Sequence, residues 1–432
     1  MAETLISPGV LARENDQTFV GTRAVPVGTA IIGPTIKGPV EVPTLVTTWS
    51  EYVTRFGTTA LSGSTTDQKL YSYFTSTAAY NYFTNGGTAL LVTRVASGSF
   101  APASSSYIAS SSAGGPTSGL SPFVLETLTY GKIMNSIGPE TTGGVLSSGS
   151  KDNIRWQILN SNTSSGTFDL FIRRGDDSAR NPIVLEQWTG LSLDPLASNY
   201  ISRVIGDIRQ NYDSANNQMS FTGSFTNKSN YVRVSAVNFT TPNYIDANGN
   251  ITTAFTGSLP KNSSGSFGAG DGDVFAPGAA FYNAISSTNT QGLKAGNYTN
   301  MINLLTTNKD DYKYNVLLTP GLYYSDYDTQ INDIITNTQN RGDSIFVADL
   351  VPFSSTVSQV TNEAAALNTS YAAAYWPWVQ VAEPTSGEVI WVPASTVIGG
   401  VYAFNDSVAE PWFAPAGINR GGLSNVIRAE HK

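Results

Sequence analysis

The chain of 432 residues contains no cysteine and a single histidine, His431, one residue from its end. Without thiols there is no disulfide, no thiolate nucleophile and no cysteine metal site, although this leaves the redox compartment open. With its one imidazole at the terminus, the interior lacks the commonest general base and metal ligand. Charged residues are scarce at 13%, and the net charge is −8. Nucleic-acid surfaces need clustered Lys and Arg to meet phosphates, and no such cluster occurs, so direct nucleic-acid binding is not expected. No window reaches the ~18 apolar residues of a spanning helix, and the opening MAETLISPGVLARENDQ has no apolar signal core. The expectation is a chain made and kept in soluble form, with no membrane insertion.

What is abundant is apolar and small polar residues. An apolar share of 40% suffices for sizeable cores and argues against wholesale disorder. The length exceeds one ordinary core and predicts two or three domains. Ser, Thr, Asn and Gly supply the polarity, which suits β-rich structure and broad, weakly charged contact surfaces.

Residues 1–20 read as an extended arm. Ser7-Pro8-Gly9-Val10 is turn-like, because proline fixes φ and glycine permits φ > 0, and Glu14 to Gln17 is polar. On the residues alone, a frayed terminus is the plainer reading. Thr22 to Val95 is βαβ-like. Gly28 to Gly33 is a buried strand, Ser50 to Gly57 a short helix with Ser50 as candidate N-cap, Tyr71 to Phe83 a buried helix stopped by Asn85-Gly86-Gly87, and Ala89 to Val95 a strand. Gly28 to Thr35 superficially follows a phosphate-binding loop, but Pro34 stands where the lysine would be, so no nucleotide is expected.

Beyond Ala96 the composition shifts to a Ser/Ala/Gly run at 97–119. Short segments follow, such as Ile154–Ile158, Thr167–Ile172 and Tyr231–Ser235, which predict antiparallel strands with one face wet. Asp194-Pro195 opens a predicted helix whose stripe of Tyr200, Ile201, Val204, Ile205 and Ile208 is core packing. Arg173-Arg174 beside Asp176-Asp177 reads as a solvated turn, and Gly268 to Asp273 as a flexible loop without a calcium ligand set. Asn162, Asn227 and Asn238 open Asn-x-Ser/Thr triplets that carry no glycosylation meaning without a secretory signal.

From Gly292 α/β order resumes. Tyr298 to Leu305 is helical, and Asn315 to Gly321 is a strand ending in a turn. Asp328 caps a helix bearing Ile331, Ile334 and Ile335, and Arg341-Gly342-Asp343 is a helix stop rather than an adhesion ligand. Ser344 to Val351 is a strand. Val357, Val360, Ala364, Leu367, Tyr371 and Ala374 predict one helix with a single buried stripe. The alternation implies a largely parallel or mixed sheet with helices packed on it.

Tyr371 to Gly422 organises the rest. It holds four of the seven tryptophans: Trp376, Trp378, Trp391 and Trp412. Two β-branched and aromatic runs, Trp378–Val381 and Val389–Val392, flank Glu383-Pro384-Thr385-Ser386-Gly387 and predict a hairpin. Pro393 ends its second strand, having no N–H for the ladder. Val397 to Ala403 is small and apolar, the mark of backbone in close packing, here read as turns. Neither this stretch nor the rest of the chain supplies a recognisable catalytic, cofactor-binding or metal-binding residue.

This order of motifs resembles the contractile-tail sheath proteins. It runs Pro377-Trp378-Val379, a glycine-containing turn, Trp391-Val392-Pro393-Ala394-Ser395, Gly399-Gly400-Val401-Tyr402-Ala403, Asp406, Trp412 and Ala414-Pro415-Ala416-Gly417. Leu191 to Pro195 and Asn340 to Asp343 are similar to steps of the same family. The resemblance implies an α+β multi-domain fold: an α/β core formed by the N- and C-terminal segments, with an inserted β-rich outer domain. The expected division is an arm at 1–20, core at 21–95, the β-rich insertion at 96–286 and core again at 287–432. Sheath proteins continue past the Asn419-Arg420-Gly421-Gly422 step into a further α/β portion and a C-terminal arm; with the sequence stopping at Lys432, the expectation is either a truncated chain or a portion supplied elsewhere.

The implied function is structural and needs no cofactor. Subunits assemble in stacked rings around an inner tail tube protein, meet baseplate and tail terminator proteins, and contract to drive the tube through a cell envelope. The place is the virion tail, assembled in the host cytoplasm. By the same resemblance Ser7, Pro8, Gly9 and Val10 belong to an arm that adds a strand to neighbouring subunits. Trp378, Trp391, Val392, Pro393, Gly400, Tyr402, Trp412, Pro415 and Gly417 are the structural signature. Two other classes compete: a carbohydrate-active enzyme, which needs a carboxylate pair that no spacing singles out, and a host-binding β-rich surface protein or fibre, which would show repeats.

Overall fold

The computed structural model describes residues 28–62, 69–96, 98–111, 119–136, 140–272, 295–410 and 412–430. The predicted arm with Ser7, Pro8, Gly9 and Val10, and the boundary near 286, lie outside them.

A six-stranded sheet runs in the order Ala372–Ala374, Ile345–Asp349, Tyr314–Tyr323, Gly28–Gly33, Leu90–Arg94, Thr44–Val46. Its neighbours are parallel except the last pair, where Thr44–Val46 is an antiparallel edge. Because side chains alternate along a strand, consecutive residues serve two cores. Ala30, Ile32, Leu317 and Phe346 pack with Met301, Leu304, Ile331 and Ile334 of the Ala295–Thr307 and Asp328–Arg341 helices. Ile31, Val92, Leu318 and Val347 pack with Ala78, Ala79 and Tyr82 of the Phe74–Thr84 helix. Both faces are covered, which is why these strands read as continuous apolar runs.

Local corrections follow from specific partners. Thr48, not Ser50, caps the first helix, Trp49–Phe56, by accepting from the Glu51 amide. The Phe74–Thr84 helix starts later than predicted because Lys69–Ser72 pairs antiparallel with Thr59–Ser62. The long buried helix through Ala374 is also wrong. Only Val357–Ala366 is helical, Val360 alone of the predicted stripe is buried, and Val357 is 51% exposed. The sheet edge captures the rest: the Phe346 amide donates to the Tyr371 carbonyl at 2.9 Å, and Ala372–Ala374 becomes a strand. Likewise the turns expected at Val397–Ala403 are part of the Ser395–Val408 helix. Tyr314–Tyr323 continues as a strand through Pro320-Gly321.

The Arg341-Gly342-Asp343 step is a helix stop, with Gly342 left-handed at φ 77 and its amide donating to Thr338. Arg341 is buried, donates to the Leu305 and Tyr312 carbonyls at 2.6 and 2.5 Å, and lies 4.0 Å over the Tyr314 ring. It cannot serve as an adhesion ligand.

A second sheet of seven antiparallel strands is built wholly from residues between Pro102 and Gly268. Its order is Val184–Ser192, Thr167–Arg174, Ile154–Asn162, Ser263–Gly268, Pro102–Ser105, Phe123–Tyr130, Val232–Val237. Its core stacks Phe123 on Phe168 and gathers Trp156, Leu170, Ile172 and Val234. The predicted 194–208 helix shrinks to Ile201–Ile205, since Asp194 instead closes a turn by accepting from the Leu196 amide. Arg94 ties the two sheets together. It is buried at the end of Leu90–Arg94 and donates to the Gly38 and Tyr130 carbonyls at 2.7 and 3.0 Å. Gly268 closes a strand and Asp271 bridges Ala101, so this part of the expected flexible loop is ordered; Asp273 lies outside the described residues.

The solvated turn at 173–177 is half right. Arg174 and Asp176 form a partly exposed pair at 2.5 Å. Arg173 and Asp177, however, are each only 2% exposed. Arg173 donates from Nε and Nη2 to the two Asp177 oxygens at 2.7 and 2.9 Å, and Arg155 Nη1 stands 3.4 Å from one of them. The ladder places Arg155 directly opposite Arg173, so two like charges face each other with the one Asp177 carboxylate shared between them. Arg155 also pairs with Glu140.

Asp349 is wholly buried where Ile345–Asp349 meets the Ser395–Val408 helix. It accepts from the Ser395 hydroxyl at 2.7 Å and from the Ser395 and Gly321 amides at 3.3 and 3.1 Å. Burial outweighs these donors and raises its pKa from 3.8 to about 6. A carboxyl raised on folding contributes stability that is fully present below its unfolded pKa and is lost as pH rises through the folded one. From pH 4 to 7 the parent should therefore lose about 2 kcal/mol through this group. In Asp349→Asn that loss should vanish, so the stability difference between the two proteins should change across this interval. Urea titrations at several pH values that run parallel for both would refute it.

Candidate assembly surface

The predicted hairpin is present. Val379–Ala382 and Val389–Val392 pair antiparallel, with Val379 opposite Val392 and Val381 opposite Ile390. The turn closes because the Glu383 carboxylate accepts from the Thr385 and Ser386 amides at 2.8 and 2.5 Å. A third strand, Val426–Ala429, adds to the other side of Val379–Ala382. One face of this sheet is core: Val379, Val381, Ile390 and Val392 are buried with the six-stranded sheet's cluster. On the other face, Arg428 Nε donates to Gln380 at 2.6 Å and its guanidinium lies 5.4 Å over the Trp391 ring.

The signature residues divide into two groups. Trp378 is 3% exposed, donates to the Val351 carbonyl at 3.1 Å and touches the Phe74, Tyr323 and Phe353 rings. Trp391 is half-buried against Phe353. The Pro393 carbonyl accepts from Thr396 as the Ser395–Val408 helix begins. Tyr402 shares a 2.8 Å hydrogen bond with the Tyr375 hydroxyl, and burial pushes its own hydroxyl far up. Gly400 lies against the Phe74–Thr84 helix: a Cβ there would sit 2.6 Å from the Asn81 carbonyl oxygen. Gly400→Ala should force these helices apart and cost about 1–3 kcal/mol; a denaturation midpoint unchanged within error would show that the contact yields freely.

The remaining signature residues are outside the core. Trp412 is 77% exposed, Gly417 is exposed in a left-handed turn at φ 76, and Pro415 is half-buried beside it. They belong to an apolar segment that also carries Phe413, Leu423 and Ile418, the last 97% exposed. Sequence reasoning missed Phe413, Ile418 and Ile427. The signal was their apolar character in a glycine-rich, helix-free stretch. The strand Val426–Ala429, with Ile427 57% exposed, adjoins this segment; among the described residues it and Val389–Val392 are the two open edges of the three-stranded sheet. Large exposed apolar groups beside unpaired strand edges mark surfaces built for another chain.

Among the described residues, no three His, Asp or Glu side chains are grouped to hold a metal, and no helix is long and apolar enough to cross a membrane.

No protein-family model matches the chain. Over 38 residues, 9% of this chain and 6% of the relative, it is 47% identical to the tail sheath protein of Vibrio phage KVP40. Its structural neighbours are sheath tail proteins. That of Listeria innocua aligns over 90% of this chain and 58% of its own at 11% identity and TM-score 0.45. That of Desulfitobacterium hafniense aligns over 92% of this chain and 62% of its own, at 10% identity and TM-score 0.39. The chain thus spans about three-fifths of those solved proteins and a small part of the phage relative. All three are described as sheath proteins.

Proposed function

We propose that this chain is the structural subunit of a contractile tail sheath. The observation that carries the reading is the sheath-like block from Pro377 to Gly422, its first part built into the core and its last part exposed as apolar surface beside the outer strand of a sheet. The local identity to a phage tail sheath protein supports it. In this reading the six-stranded sheet is the core that positions the contacts, and the seven-stranded sheet is an insertion projecting outward from the tail. The arm around Ser7 to Val10 adds to an open edge of a neighbour's three-stranded sheet, where unpaired main-chain groups offer a ladder. Subunits held this way around an inner tube store free energy at assembly. A trigger from the baseplate lets each rotate into a wider, shorter lattice, and gains on the order of a few kcal/mol per interface sum along the tail.

The test is electron microscopy of the purified protein beside two variants, one lacking residues 1–20 and one carrying Ile418→Asp. Striated tubes or ring stacks from the parent and single subunits from both variants are the expected result. Because residue 418 is solvent-exposed, the substitution should change monomer stability by no more than about 0.5 kcal/mol. A parent that stays monodisperse at high concentration would count against the sheath reading.

A further inference from the structure

A cleft of about 500 Å³ opens where the first segment of the six-stranded sheet meets the seven-stranded one. Arg55, Arg209, Lys228 and Arg233 line it, and no Asp or Glu does. Its wall is fixed in place. Asn227 accepts from the Ile208 amide at 3.1 Å and donates to the Ile208 carbonyl at 2.7 Å, while Glu186, from behind, accepts from Ser229 and the Asn230 amide at 2.5 and 2.8 Å. Two of the cations are neutralised from outside the lining, Arg55 by Glu51 and Arg233 by Glu126. The other two are not. Arg209 reaches only Asn211, at 3.1 Å, and among the described residues neither it nor exposed Lys228 meets a carboxylate. Thr44–Val46, which among the described residues is an unpaired sheet edge, contributes Thr44 and Leu45 to the same cleft.

The rest of the chain has the opposite charge. With these four cations set aside, 20 Lys and Arg stand against 32 Asp and Glu, a balance of −12. An extended segment bearing carboxylates matches the cleft in charge, and the open edge offers it backbone hydrogen bonds. We infer that the cleft receives an acidic segment of a second copy of this chain, an inference that rests on the assembly reading above. Arg209 and Lys228 are its anchoring cations.

Carbodiimide cross-linking of assemblies made from mixed ¹⁴N- and ¹⁵N-labelled subunits tests this. The reagent joins an ammonium to a carboxylate only in contact, so Lys228 should appear in peptides that pair a light with a heavy chain. Independently, Lys228→Gln with Arg209→Gln should raise the concentration needed for half-maximal assembly about tenfold at low salt and flatten its salt dependence. The substitutions are at partly or fully exposed positions, and circular dichroism of the variant monomer checks that it folds. Tubes that form with Lys228 joined only within its own chain, or unjoined, and at an unchanged concentration in the double variant, would overturn the cleft assignment while leaving the sheath reading intact. A parent that forms no assemblies would overturn both.

Discussion

Trp378→Ala should destabilise the six-stranded sheet by about 3–5 kcal/mol, the range for truncating a large aromatic in a packed core. The indole is in contact with three rings from separate parts of the chain, Phe74, Tyr323 and Phe353, at centroid distances of 5.9, 5.8 and 5.6 Å. Alanine would leave a hole bordered by the two long helices' cluster, and no neighbour is free to fill it, since Phe353 is already engaged with Trp391. The lost Nε1 donor adds an unpaired Val351 carbonyl. Trp378→Phe separates the contributions, keeping most ring contacts and losing the hydrogen bond; it should cost less than half as much. Urea unfolding followed by far-ultraviolet circular dichroism reads both. A loss below about 1 kcal/mol for the alanine variant would mean that the rings repack, and that Trp378 does not brace this core.

Asp177→Ala should be comparably damaging to the seven-stranded sheet, by about 3–5 kcal/mol, for an electrostatic reason. The carboxylate is the shared partner of two buried guanidiniums placed opposite each other by the ladder. Its removal leaves Arg173 with Gln157 and a backbone carbonyl and no acidic partner, and leaves Arg155 beside that like charge with Glu140 as its remaining carboxylate. The discriminating control replaces all three by apolar residues of similar size, Arg155→Met, Arg173→Met and Asp177→Leu. Because a buried ion network seldom outperforms apolar packing, the triple variant should recover most of the stability. If Asp177→Ala alone unfolds like the parent, water must reach the cluster and the burial argument fails. The two predictions also test the proposed domain division. If the sheets unfold as separate units, Trp378→Ala should move one transition and Asp177→Ala the other.

Some of this was legible from the sequence and some was not, and the boundary has a physical cause. Gly28–Gly33, Leu90–Arg94 and the Val379–Val392 hairpin were readable because periodicity, β-branching and turn residues are local signals. The Gly342 helix stop was readable for the same reason. The helix through Ala374 was misread because an equally local pattern was overruled by the edge of a distant strand, Ile345–Asp349. The small residues at Val397–Ala403 did signal close packing, yet only the Phe74–Thr84 helix, some 300 positions earlier, decides that they form a helix rather than turns.

Sequence alone determined that this chain has no thiol chemistry, no interior histidine and no cationic cluster along the chain, and that its strongest ordered motifs are sheath-like. Only the tertiary structure decided which of its few charges are buried together and which gather in a cleft. It also decided that six of the nine signature residues brace a core while Trp412, Pro415 and Gly417 lie outside it with Ile418. A residue's type is local, but its neighbours come from strand register and from segments hundreds of positions away, and it is the neighbours that fix burial, charge balance and exposure.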